Sequence, residues 1–193
     1  MNRKIIDPAE RIRSAALSLF IRNGISGTTT KEIASEAGVS EGSIYNHYES
    51  KSDLALKLFM SSMEMFREVL YERSLGVETP AGKLTAVIEE FFDFAQKEPE
   101  VYSYIMIGHY TELGKIPGTL KRPMDVFSGI IKSGIESGEF EDMPDKLGAA
   151  YAIGMLTRAI LFHKSGLLKF PYNQIVKETV KSSLKVLGAG AKK

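Results

Sequence analysis

Residues 26–54, SGTTTKEIASEAGVSEGSIYNHYESKSDL, constrain the fold more than any other stretch of the chain. Thr29 followed three residues later by Glu32 has the capping-box spacing that starts a helix. Ile33, Ala34 and Ala37 give that helix one apolar face. Gly38 suits the left-handed conformation that ends it, and Val39 plugs the turn. Ser40 then caps a second short helix with Ile44 on its inner side, and Ser50 with Asp53 caps a third. Two short helices joined by a tight glycine turn make a helix-turn-helix, whose second helix enters the DNA major groove.

The rest of the chain is helical in period. Ile12, Ala15, Ala16, Leu19 and Phe20 lie on one face of a helix opened by Asp7-Pro8 and stopped by Asn23-Gly24. Leu54, Leu58, Phe59, Ser62, Met63 and Phe66 continue the spacing in a longer helix. Prolines at 80, 99, 144 and 171 each precede a periodic stretch, where a first-turn proline loses no hydrogen bond. Alternating β-branched runs, the strand signal, are missing. The pattern predicts an all-α fold of about nine helices, near 8–23, 30–37, 41–47, 50–74, 80–97, 99–113, 119–138, 145–165 and 172–187. It predicts a helix-turn-helix domain over 1–53 and a larger helical domain over 54–193.

The string Thr29-Thr30-Lys31-Glu32-Ile33-Ala34, then Ala37-Gly38-Val39-Ser40, Ser43-Ile44-Tyr45-Asn46-His47-Tyr48 and Ser50-Lys51 resembles the signature of the TetR family of transcriptional regulators. With the preceding helix the resemblance spans about 45 residues. Beyond residue 55 only length and helical architecture are similar to the family. Read physically, Thr30 and Lys31 stand at a helix N-terminus that favours a phosphate, and Tyr45, His47 and Lys51 suit phosphate oxygens. Glu41, Gly42, Ser43 and Asn46 would face base edges, asparagine pairing with adenine and glutamate accepting from cytosine N4. The resemblance implies operator contacts at Thr30, Lys31, Ser43, Tyr45, Asn46, His47 and Lys51. The full candidate set adds Ser40, Glu41, Gly42 and Tyr48. Glu41 departs from the family pattern, where a basic or neutral residue is common; it either reads a cytosine or caps the short helix through its dipole. Arg3, Lys4, Arg11 and Arg13 either add phosphate contacts or form a solvated face. An ordinary core hairpin would explain Ile33, Ala34 and Ile44, but not the cluster of Tyr45, His47 and Tyr48.

Residues 80–187 are rich in aromatics and methionine. Such side chains at helical spacing are commonly core. As a set, Phe91, Phe94, Tyr102, Met106, His109, Tyr110, Phe127, Met155 and Phe162 can line an apolar cavity, and the resemblance implies a small-molecule site in this domain. Arg158 interrupts the apolar run Ala149–Phe162 and needs a partner if buried. It either pairs with Glu89, Glu90, Asp93 or Asp125, or holds the anionic head of a ligand beside His109 or Tyr110. The last two helices carry the stripes Ala149, Ala152, Ile153, Leu156, Ile160 and Ile175, Val176, Thr179, Val180, Ser183, Leu184. These either bury within the chain or build the four-helix dimer interface that the resemblance implies.

Net charge is +1, and the first 53 residues balance seven Lys/Arg against seven Asp/Glu, so bulk charge gives no support to nucleic-acid binding. Cysteine is absent, which excludes disulfides and thiolate chemistry. His47, His109 and His163 fit no metal-ligand spacing, and no nucleophile elbow or phosphate loop occurs. No apolar stretch approaches the ~20 residues needed to span a bilayer, and the start of the chain has no secretory signal. The expectation is a cytoplasmic, sequence-specific DNA-binding regulator without cofactor or enzymatic activity. It would be a homodimeric repressor released from a palindromic operator by a small apolar or amphipathic effector. An activator, or a helical interaction protein without ligand, are the rival readings.

Overall fold

Asp7 accepts a hydrogen bond from the Ala9 N–H at 3.2 Å, Pro8 takes the first helical position, and helix α1 (Pro8–Asn23) follows. The computed structural model describes residues 7–189, except the side chains of Tyr110 and Thr111. Among the described residues the chain forms nine α-helices. The others are α2 (Thr30–Ala37), α3 (Glu41–Tyr45), α4 (Lys51–Ser74), α5 (Pro80–Lys97), α6 (Pro99–Thr111), α7 (Pro123–Glu136), α8 (Asp145–Lys164) and α9 (Tyr172–Val186). A 3-10 turn, Leu113–Lys115, extends α6. The helix-rich expectation therefore holds. One start differs: α7 begins at Pro123 rather than near 119, because Asp125 turns back to accept from the Arg122 N–H at 2.6 Å and fixes the entry there. No helix among the described residues is long and apolar enough to cross a membrane.

Contacts divide the chain into two units. The first runs to Met63 and takes up Glu98–Leu120; the second holds Glu64–Lys97 and the chain from Lys121 onward. α6 thus groups with the helix-turn-helix. In the first unit, Ile12, Ala15, Ala16, Leu19 and Phe20 form the buried stripe of α1, against which α2, α3 and α6 pack. Phe20 stacks with Tyr104 of α6 at 6.1 Å between ring centroids, and Phe59 meets Tyr104 edge-on at 6.4 Å. The Tyr104 hydroxyl donates to the Ala55 carbonyl at 2.8 Å, and burial pushes the phenol above its ordinary range.

In the second unit, Phe66 packs on Phe91 (4.9 Å) and Phe94 (4.3 Å), and Phe91 on Phe127 (6.2 Å). Tyr172 at the start of α9 donates to the Phe92 carbonyl at 2.8 Å. Burial, with Asp93 adding to it, pushes this phenol up to about 12.

Gly108 lies on α6 where a Cβ would come within 2.3 Å of the Phe59 ring, which is fully buried and has nowhere to swing. Gly129 on α7 has nothing within 4 Å of that position. Alanine in a helix interior gains about 0.8–1.0 kcal/mol over glycine, whereas overpacking costs about 1–3 kcal/mol. We expect Gly108→Ala to lose stability in urea denaturation, by up to about 2 kcal/mol net. Gly129→Ala should gain up to about 1 kcal/mol. Equal effects at the two sites would refute this packing account.

Candidate nucleic-acid interface

Two reciprocal bonds start α2: the Glu32 N–H donates to Thr29 Oγ1 at 3.2 Å, and the Thr29 N–H donates to Glu32 Oε2 at 2.7 Å. The bonds from Thr29 hold the Glu32 carboxyl below its ordinary range. Gly38 closes the helix at φ +64°, a left-handed conformation that a side chain would strain. Arg11 Nη1 donates to its carbonyl at 3.3 Å, tying the turn to α1. Ser40 accepts from the Ser43 N–H at 3.2 Å and opens α3. The Asp53 N–H donates to Ser50 Oγ at 3.0 Å, and Asp53 also accepts from the Glu49 N–H at 3.0 Å.

This scaffold sorts the candidate residues into two sides. Ile44 is fully buried and Tyr48 is 8% exposed, whereas Tyr45 is 53% exposed. Lys31, Ser40, Glu41, Gly42, Asn46 and His47 are exposed, and Thr30 and Ser43 are half-buried at the same surface. Tyr48, expected among the DNA contacts, is buried beneath the face, with the Lys57 ammonium 5.7 Å from its ring centroid. Lys51 is half-buried, and its Nζ donates to the Thr28 carbonyl at 2.5 Å, joining α4 to the loop before α2. Thr28, which sequence reasoning passed over, is fully buried and donates to Gly24 O at 2.9 Å. Thr30 Oγ1 donates to Glu41 Oε1 at 2.5 Å and lies 3.4 Å from the Tyr45 hydroxyl. The carboxylate thus bridges α2 and α3, a role not visible in the spacing. Arg13 is exposed, and Arg3 and Lys4 lie outside the described residues.

The other expected sites are rearranged. Phe91, Phe94 and Phe127 interlock with Phe66 in the interior of the second unit. Tyr102, Met106 and His109 belong to α6 in the first unit, and the side chain of Tyr110 lies outside the described residues. Arg158 is exposed, which removes the burial argument for both of its expected roles. Its expected partners are occupied: Glu89 and Glu90 lie 3.8 Å from Arg73, Asp93 bonds Lys97, and Asp125 caps α7. Phe162 is exposed on the same helix, and Met155 lines an apolar groove of about 340 Å³ with Leu168, Phe170 and Ile175.

Of the expected interface residues, Ala149, Ala152, Leu156, Ile160, Ile175, Thr179 and Ser183 are buried within the chain itself. Ile153, Val176, Val180 and Leu184 are half-buried. The apolar surface that α8 leaves open is another one: Leu147 (42% exposed), Tyr151 (47%), Leu161 (48%) and Phe162 (42%), with Gly154 and Arg158 between them.

Residues 12–58 match the family model of bacterial regulatory proteins, tetR family. The fatty acid metabolism regulator protein of Bacillus subtilis is 28% identical over 136 residues, covering 68% of this chain and 70% of that protein. The structure resembles that of the regulator FadR from Bacillus subtilis in complex with stearoyl-CoA (TM-score 0.72, 22% identity, 90% of this chain and 96% of that one). It also resembles AibR in complex with isovaleryl coenzyme A and operator DNA (TM-score 0.70, 18% identity, the same coverages). At those identities the likeness establishes the fold.

Lys31 is exposed and makes no ion pair among the described residues, so its charge is available to a phosphate. Lys31→Ala should weaken binding to all duplexes alike and reduce the salt slope of log K by about one. Anisotropy titrations at several salt concentrations would read this; an unchanged slope would remove Lys31 from the interface.

Proposed function

We propose that this TetR-family DNA-binding transcriptional regulator, which is not an enzyme, works in the cytoplasm as a dimeric repressor released from a palindromic operator by a fatty acyl-CoA. The observation that carries the reading is the face of α2 and α3. Lys31, Tyr45, Asn46 and His47 stand exposed over a support of Ile44 and Tyr48. Asn46 has the donor and acceptor to pair with adenine, and the other three suit phosphate oxygens.

One five-residue recognition helix reads one half-site, and specific repression asks for two, about one helical turn apart. The open stripe Leu147, Tyr151, Gly154, Arg158, Leu161 recurs at helical spacing along α8, and Gly154 permits a close crossing. It is the surface we assign to the two-fold interface in place of the buried stripe. The acyl-CoA assignment draws on the Bacillus subtilis relative and the stearoyl-CoA complex, and on the phenylalanine-rich interior of the second unit, which suits an acyl tail once its rings part. α4 runs unbroken from the helix-turn-helix unit into the second unit. A ligand with higher affinity for one course of that helix would shift the population away from the spacing that fits DNA.

A duplex enriched by the purified protein from sheared genomic DNA is the test substrate. Stearoyl-CoA should weaken its binding by about 5–150-fold, the range of ordinary allosteric coupling, and free CoA should not. Release by neither stearoyl-CoA nor shorter acyl-CoAs would overturn the effector assignment. Enrichment of no sequence would overturn the operator reading.

The interface has its own test. Tyr151→Glu combined with Leu161→Glu places two charges in the proposed seam while leaving the buried stripe intact, so sedimentation should show monomers. Dimers of undiminished stability would move the interface elsewhere.

A further inference from the structure

The Thr30–Glu41–Tyr45 cluster lies on the DNA-facing surface of the proposed reading yet contains a carboxylate unpaired with any cation among the described residues. Glu41 is exposed and takes part in no ion pair among the described residues. Its Oε1 accepts the Thr30 hydroxyl at 2.5 Å, and the Tyr45 hydroxyl lies 3.4 Å from that same Thr30 oxygen. A threonine hydroxyl has one proton to donate. While Glu41 holds it, Thr30 cannot donate to a phosphate, and the carboxylate itself repels one. Resting on the DNA-binding reading, we propose that Glu41 is a specificity-determining residue that acts as an internal competitor for the DNA backbone, suppressing binding to non-operator sequences.

The asymmetry between operator and random DNA follows from what each offers. Affinity for random DNA comes from phosphate contacts alone, so a withheld donor and an added negative charge go uncompensated there. At an operator with a cytosine in register, the carboxylate can leave Thr30 and accept from the cytosine N4 amino group, which restores the hydroxyl to the backbone. The charge balance of the first 53 residues, seven cations against seven anions, points the same way: this unit is not built for indiscriminate attraction to a polyanion. Serving only as a strut between α2 and α3 would need an acceptor but no charge, and that difference is testable.

The test uses the full-length protein, the duplex it enriches, and a scrambled duplex of equal length and composition, titrated from about 50 to about 200 mM salt. Glu41→Gln keeps an acceptor oxygen and nearly the same shape. It should bind the scrambled duplex about three- to tenfold tighter and gain less, or lose, on the enriched duplex, so the ratio of affinities falls; its salt slope on scrambled DNA should steepen by about one. In a Thr30→Val background the same change should gain less, because a neutral amide oxygen holds the Thr30 hydroxyl less tightly than the carboxylate does, and that hydroxyl is then gone. Thermal melts of the variants confirm folding. Unchanged affinities for both duplexes would reduce Glu41 to a strut. Loss on the enriched duplex with no gain on the scrambled one would make it a base reader only, and either result overturns the proposal. Wild-type protein that enriches no sequence fails one step earlier, at the operator reading, whatever the variant does.

Discussion

Helices of eight and five residues have no stability of their own in water, because the first turn fixes several residues in return for one hydrogen bond. α2 and α3 exist because Ile33, Ala34, Ala37 and Ile44 are buried in the unit that α1 organises, the two isoleucines fully. Each such isoleucine contributes about 1.5–3 kcal/mol, and each side-chain cap about 1 kcal/mol. Burial therefore decides that the helices form, and the caps at Thr29 and Ser40 decide where they begin. Tyr45 and Asn46 inherit their positions from this arrangement. They adjoin Ile44 in sequence but face the other way, so a side chain that packs inside determines where the polar ones point.

What is local in this chain was legible in its sequence. The capping box, the left-handed Gly38, the Ser40 and Ser50 caps and the first-turn prolines at 8, 80 and 99 each involve residues within a few positions of one another, and the structure has them; Pro144 and Pro171 stand one residue earlier, at the N-cap. The membership of α6 in the helix-turn-helix unit was not legible. It rests on Tyr104 meeting Phe20 and Ala55, and Gly108 meeting Phe59, partners some fifty residues away or more that no periodicity marks. The bridge from Thr30 to Glu41 was hidden for the same reason: each residue has a local reading, and only the turn brings them together.

Helix α8 shows a different limit. It is apolar nearly all round, so its pattern says that two faces are covered but not which face is covered by what. The structure turns Ala149, Ala152, Leu156 and Ile160 toward its own unit, and the small residues among them let neighbouring helices close in. Leu147, Tyr151, Leu161 and Phe162 are left outside. Arg158 belongs to this outer side, which explains an arginine in an apolar run without any buried partner: its aliphatic stem can lie along the stripe while the guanidinium stays in water.

The cations of the first unit set how such a protein can bind DNA at all. Arg11 is committed to the Gly38 carbonyl, Lys51 to the Thr28 carbonyl, Arg22 to Glu36 at 2.7 Å and Lys57 to Asp53 at 2.8 Å. Among the described residues this leaves Arg13 and Lys31 as the cations of the helix-turn-helix outside any ion pair or side-chain hydrogen bond, and few contacts mean weak, shallowly salt-dependent attraction to random sequence. On the proposed reading, affinity for an operator would then come from base contacts made twice over. In the proposed dimer a second recognition helix would bind at the effective concentration that the dimer imposes, so two modest half-sites would combine into one tight one. The proposed arrangement would be sensitive to spacing: a ligand that moved one helix out of register would remove the second contact and leave only the weak phosphate attraction to hold the protein on DNA.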